Sequence, residues 1–221
     1  MDDLKVNNLN VLYEDNHIIV VEKIINVPSQ ADSSKDLDMI TIIKKYIKEK
    51  YNKPGNVYLG LVHRLDRPVG GIMVFAKTSK AASRLTKCIK NHEFHKKYYA
   101  VVNGYLKEKE GTLIDYISKD KNNNAVIDKN GKYAELKYKV LKEKDNLSLI
   151  DINLLTGRHH QIRIQFKNIN HPLYGDQRYG IQDKKQIALY AYKLEFIHPV
   201  KQEKMVFTNY PKNKFWNNWL N

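Results

Sequence analysis

Short strand-like runs, each closed by a polar turn, recur along the whole chain, and only a few helical patterns interrupt them. Residues 10–15 and 17–23 read as two strands. The second holds the unbroken apolar run Ile18, Ile19, Val20 and Val21, which suits a strand buried on both faces. Residues 57–62 and 71–77 are strand-like on either side of a connection from His63 to Gly70. Residues 96–103 alternate, which puts Tyr98, Ala100 and Val102 on one face and Tyr99 and Val101 on the other. Three more strands are expected near 111–117, 132–141 and 147–155, joined by turns such as Asn122-Asn123-Asn124 and Asn130-Gly131. Residues 187–196 and 204–208 read as closing strands.

Four helices fit between these runs. Residues 37–51 carry apolar side chains at 39, 40, 43 and 47 with lysines opposite, the pattern of an amphipathic helix with a solvated face. Thr78 or Ser79 can cap the next, whose apolar face is Ala81, Ala82, Leu85, Cys88 and Ile89. Gln161 to Ile169 places Ile162, Phe166 and Ile169 at helical spacing, and Trp216, Trp219 and Leu220 suit a short C-terminal helix. Many strands with few helices among them predict an α+β fold: a mixed, largely antiparallel sheet with flanking helices. At 221 residues the chain fits one domain, residues 10–221, after an extension of residues 1–9.

Composition narrows the chemistry. No stretch is long and apolar enough to cross a membrane as a helix, and Met1-Asp2-Asp3 does not begin a secretion signal. Cys88 is the only cysteine, which rules out a disulfide framework and a Cys-rich metal site. A cytoplasmic protein is expected. The net charge of +14 suits a polyanionic partner, although a chain so rich in Lys, Asn and Ile reaches that sign for compositional reasons too.

Arginine usage says more. Only six of the 38 basic residues are arginine, and five of them sit in two segments: Arg64 and Arg67, then Arg158, Arg163 and Arg178. A guanidinium pairs bidentately with carboxylate or phosphate in a way lysine cannot reproduce. In His63-Arg64-Leu65-Asp66-Arg67-Pro68-Val69-Gly70-Gly71 a carboxylate lies between two such groups. Opposite charges favour its ionised form and suit it to nucleophilic work; an ion pair capping a surface turn is the plainer reading. In Lys96-Lys97-Tyr98-Tyr99 a strand tyrosine could stack on a base or move a proton, or simply reflect the β-propensity of a residue that occurs 15 times. Arg163 sits beside the buried stripe of its helix and needs a partner, for which Asp66 is the obvious candidate. His159 and His160 are adjacent and so do not converge on one ion, and His92 and His95 lack nearby carboxylates. No metal site is expected.

Taken together, His63 to Arg67, Lys96 to Gly104, Gly157 to Arg163 and His171 to Gly180 resemble, in order, the signatures of the RluA-type RNA pseudouridine synthases. The resemblance extends to Leu12-Tyr13-Glu14-Asp15 and His198-Pro199. It implies that Asp66 is the catalytic aspartate, Tyr98 the active-site tyrosine and Arg163 the arginine paired with the aspartate. Arg67 matches the position that displaces the target base. His63, Arg64, Arg158, His160 and Gln161 are the further expected RNA contacts. The chain departs from the family pattern at Pro68-Val69, at His159 and Gln165, and at Lys23-Ile24-Ile25 in place of an early Lys-Pro.

The implied reaction isomerises uridine in RNA by breaking C1′–N1, turning the base and bonding C1′ to C5, with no cofactor. The target base must leave its stack. Ribosomal and transfer RNA are both open as partners, and a monomer is expected. Two rivals follow from the same residues. A glycoside hydrolase would need a second carboxylate in an acid role, for which Asp176 could be offered, and a noncatalytic RNA-binding protein would need none.

Overall fold

The computed structural model describes residues 9–220, so residues 1–8 of the expected N-terminal extension lie outside the described residues. Two compact units emerge: residues 9–94 with 193–210, and residues 95–192 with 211–220. Among the described residues no helix is long and apolar enough to cross a membrane.

In the first unit the strands are β1 (Val11–Glu14), β2 (Ile18–Lys23), β3 (Gly60–Leu61), β4 (Gly70–Ala76), the second half of β10 (Leu189–Ile197) and β11 (Lys204–Thr208). Strand order runs β1-β2-β4-β10, with β11 on β10 and β3 on β4. The apolar run of β2 and the composition of β4 are explained by burial on both faces. Ile18, Val20, Ile72 and Val74 pack with Ala81, Leu85 and Cys88 of helix α2 (Ser79–Lys90) and with Phe94 and Phe196. Residues of the other parity, Ile19, Val21, Met73 and Phe75, are equally buried. So are Met39, Ile42, Ile43 and Ile47 of helix α1 (Met39–Lys50). The sequence pattern named Ile40 for that face; Ile42 takes its place.

Asp38 caps α1 by accepting from the Ile40 and Thr41 N–H groups, and Thr78 caps α2 through the Ala81 N–H. The strand expected over 57–62 is much shorter. Only Gly60 and Leu61 pair, with Ala76 and Phe75, and Gly60 packs so closely that an added Cβ would meet the Ala82 Cβ at 3.0 Å.

Two polar knots tie the start of the chain down. The Asp15 carboxylate accepts from the His17 and Ile18 N–H groups (2.8 and 2.9 Å), from the Tyr13 hydroxyl, and from Nε2 of the fully buried His198 (2.9 Å). His198 Nδ1 accepts in turn from the Val200 and Lys201 N–H groups, which assigns its proton to Nε2. Glu14 similarly accepts from Lys50, Lys77 and Tyr46. The sequence elements Leu12 to Asp15 and His198-Pro199 are thus two halves of a structural lock.

In the second unit the strand order is β10-β5-β9-β8-β6-β7, antiparallel from β5 through β7. Its strands are β5 (His95–Asn103), β6 (Glu110–Lys119), β7 (Ala125–Ile127), β8 (Lys132–Lys144), β9 (Leu147–Leu154) and the first half of β10. The three-residue β7 is absent from the sequence reading, because it hides between the Asn-rich turn and Asn130-Gly131. Tyr98 pairs with Ile152 and Tyr99 with Asp151, so the two tyrosines face opposite sides as expected. On the Tyr99 side, Val101, Leu149 and Tyr192 pack with Trp216 and Trp219 of the short helix α4 (Lys214–Leu220). The other side carries helix α3 (Gln161–Asn168), whose Phe166 meets Tyr138 edge-on and whose Ile164 packs with Ile117 and Ala134.

Replacing Asp15 by Ala should strand the buried His198 donor and two turn N–H groups, costing about 1–3 kcal/mol of stability. Urea unfolding of the variant beside the parent checks this.

Candidate functional site

Asp66 lies half-buried in the 62–69 loop between β3 and β4, and two side chains from outside the loop grip its backbone. The Ser29 hydroxyl donates to the Leu65 carbonyl (2.8 Å) and receives the Leu65 N–H (3.3 Å). Lys23, 1% exposed at the end of β2, donates to the carbonyls of Ile24 (3.0 Å), Arg67 (2.9 Å) and Val69 (2.8 Å). Three N–H bonds of one ammonium meet three backbone oxygens, so the main chain at Arg67 and Val69 cannot drift without breaking them. Burial pushes the Lys23 pKa down to about 7, against the pull of the Asp66 carboxylate, while Arg67 adds to the lowering. Leu65 and Val69 anchor the loop in apolar surroundings, and the Asp66 carbonyl closes a turn with the Val69 N–H.

Neither Lys23 nor Ser29 stood out in the sequence. The available signal was a lysine closing a strand that opens on four consecutive apolar residues, a position that demands a partner once buried.

Around Asp66 the expected RNA contacts divide. Arg64 and Arg67 are exposed. Arg67 is held by the Asp36 carboxylate and the Ser34 hydroxyl. His63 uses Nε2 to accept the Val74 N–H (3.1 Å) and packs edge-on against Phe94 at 5.0 Å. Its side chain therefore serves the β4 backbone.

In the second unit Tyr98 is 5% exposed on the α3 side of the sheet. Arg163, on α3 and 6% exposed, is paired bidentately with the fully buried Asp176: Nε to Oδ2 at 2.8 Å and Nη2 to Oδ1 at 2.7 Å. The Arg163 guanidinium also lies 5.1 Å from the Tyr179 ring centroid. Within its own unit, then, the carboxylate on Arg163 is Asp176. Burial pushes the Asp176 carboxyl up, but the Arg163 bonds and the Arg178 and Tyr179 N–H groups outweigh it and hold it below the ordinary carboxylate range. A carboxylate so held cannot serve as the protonated acid that a glycosidase would require.

The turn before α3 brings the remaining candidates together. Arg158 donates through Nε to the Tyr133 carbonyl (2.7 Å). His160 stands in the left-handed region at φ 50°, stacks on His159 at 3.7 Å and shares a 2.7 Å hydrogen bond with the Tyr179 hydroxyl. Gln161 is 3% exposed and its amide is used in full. Its oxygen accepts from the Thr156 hydroxyl and the Arg158 N–H, and its nitrogen donates to the Glu135 carbonyl and to Gln165. An RNA contact from the Gln161 amide would require these bonds to be given up. Gln165 passes the chain of bonds on to Asp115, so this departure from the family pattern is built into the unit. Among the described residues no group of three or more His, Cys, Asp or Glu side chains could hold a metal ion.

Lys23→Met should cost about 1–3 kcal/mol, because buried carbonyls lose their donor, and Asp176→Asn about 3–5 kcal/mol, because the buried bidentate pair with Arg163 loses its negative charge. The Asp176 contribution is present above the ordinary carboxylate value of about 4 and is lost as pH falls through its lowered value. Urea unfolding across the acid range should therefore show a smaller acid loss in Asp176→Asn than in the parent.

Comparison with known proteins places this arrangement. Residues 17–168 match the family model described as RNA pseudouridylate synthase. The ribosomal large subunit pseudouridine synthase C of Buchnera aphidicola subsp. Schizaphis graminum is 31% identical over 96% of this chain and 70% of its own length. The ribosomal large subunit pseudouridine synthase D of Zymomonas mobilis subsp. mobilis is also 31% identical, over 90% of this chain and 68% of its own. In fold, the human RNA pseudouridylate synthase domain containing 4 matches with a TM-score of 0.81 at 19% identity, covering 98% of this chain and 94% of that one. With its ordered signatures, its mixed, largely antiparallel sheet and these relatives, the chain belongs to the RluA family of RNA pseudouridine synthases, isomerases of uridine in RNA.

Proposed function

We propose that this enzyme modifies ribosomal RNA of the large subunit in the cytoplasm, acting as a monomer with Asp66 as its essential carboxylate. The observation that carries the catalytic part is the immobilised loop: Lys23 and Ser29 fix the backbone on both sides of a half-buried Asp66. Preorganisation of this kind is what a nucleophile needs, because small misplacements of a reacting atom are costly in rate. The two relatives named for the ribosomal large subunit support the choice of RNA.

Two routes fit the carboxylate. Asp66 can attack ribose C1′ and release uracil from N1, or elimination can give a glycal after a base takes the C2′ proton. By the first route C5 displaces Asp66 from C1′, and by the second the proton returns to C2′ as C5 bonds to C1′. Either way the C1′–N1 electrons leave with the base, the base turns, and N1 ends with a proton in place of the one that C5 gives up. Tyr98 is the group assigned to proton transfer, by either route, and its near-complete burial suits a reaction that must keep water from the intermediate. Arg163 is assigned to orienting the reacting groups, for which its rigid pairing with Asp176 prepares it. Arg64, Arg67 and Arg158 are assigned to the RNA, and the exposure of Arg64 and Arg67 supports this. Arg67 must exchange Asp36 for the nucleic acid when RNA arrives.

Asp66→Asn should lower pseudouridine formation by more than about a thousandfold while RNA binding persists. Tritium release from RNA labelled at uridine C5 measures the first and filter retention the second. Equal activity would remove Asp66 from the mechanism. Mapping pseudouridines across total RNA with and without the gene names the substrate, and sites confined to transfer RNA would overturn the ribosomal assignment.

A further inference from the structure

Lys96 opens β5 on the same face as Tyr98, two residues before it, and its cross-strand neighbour is Leu154. It is half-buried, yet among the described residues it has neither a hydrogen-bond acceptor nor a carboxylate. Lys97, its immediate neighbour, points the other way and pairs with Asp151 at 3.4 Å. Burial alone acts on the Lys96 ammonium and brings its pKa down to about 8. A cation withdrawn from water without a partner is unfavourable in the free protein, and such groups concentrate where a ligand supplies the missing charge.

The far end of this side chain meets the turn before α3. A Cβ built on exposed Gly157 would lie 3.1 Å from Lys96 Nζ. The glycine that begins Gly157-Arg158-His159-His160 thereby leaves Nζ uncovered, and Arg158 follows directly in sequence.

We propose that Lys96 Nζ is a phosphate-binding group for the RNA backbone, reached past Gly157. The assignment rests on RNA being the substrate and adds a contact that the ordered arginines do not supply. A phosphodiester oxygen brings both the acceptor and the negative charge that Lys96 lacks. Tyr98, on the same strand face, then has a fixed point of the RNA chain beside it.

The test is the salt dependence of binding. A 5′-fluorescein-labelled oligouridylate strand presents a uridine in every register, and its affinity is read by anisotropy over a range of salt. For Lys96→Met the slope of log affinity against log salt should fall by about 0.7, the value for one phosphate contact on a single strand, and Lys96→Arg should restore it. A role in packing alone would weaken folding and leave the slope where it was. An unchanged slope in a folded Lys96→Met protein overturns the proposal.

Should the Met variant fail to fold, the parent decides by acetylation with acetic anhydride and mass mapping. The oligouridylate should slow modification of Lys96 several-fold more than that of Lys44, on the solvent face of α1. Equal slowing overturns the assignment. Tritium release by the parent is the separate control, since its absence would sink the functional reading while the binding slope still decides Lys96.

Discussion

One buried ammonium governs the first unit. Lys23 ends a strand that opens on four buried apolar residues, and burying its charge would be prohibitive without compensation. Compensation comes from three backbone carbonyls, two of them on the loop that carries Asp66. The charge is therefore useful because it is costly: it must find those oxygens, and in doing so it selects one conformation of residues 67 to 69 over the many open to a loop with a proline and two glycines nearby. Ser29 makes the same selection at Leu65. Precise placement of the backbone around Asp66 is thus a by-product of satisfying polar groups that folding has dehydrated.

A parallel economy operates in the second unit. Arg163 and Asp176 are both withdrawn from solvent, and each offsets the burial cost of the other. Gln161 and Gln165 extend the principle in neutral form, tying the turn before α3 to β8 and β6. These bonds orient α3 and hold the rotamer of its arginine before any substrate arrives. Lys96 stands apart in having no such partner among the described residues, which is why we assign it to a ligand.

Much of the architecture was legible in the chain because it rests on periodicity. The apolar runs of β2 and β4, the alternation of β5 and the capped helices α1 and α2 all follow from local pattern, and their boundaries shift by only a residue or two. The order of signatures around Asp66, Tyr98 and Arg163 was legible for the same reason, being local text. What was not legible depends on separation. Nothing near Lys23 announces a bond to residues 44 and 46 positions away, and nothing in Gln161 distinguishes an amide turned toward RNA from one consumed by the protein. His63 illustrates the same ambiguity: a histidine beside an arginine-flanked carboxylate reads as functional, yet its ring nitrogen serves the backbone of Val74. β7 escaped because three residues are too few to show a period.

The turn that presents Asp176 has a bearing on how this protein tolerates mutation. Gly175 sits at φ 70°, and a Cβ there would come within 2.3 Å of the Gln186 carbonyl oxygen, main chain that is tied nearby by the Ala188 N–H to Tyr174 carbonyl bond. Unlike a crowded side-chain tip, that oxygen has nowhere to swing. Adding one methyl group at this position would pry two backbone segments apart and carry the counter-ion of Arg163 with them. Damage would thus enter through the smallest residue in the turn, and a screen for inactive variants should find alanine at 175 as harmful as many bulkier replacements elsewhere.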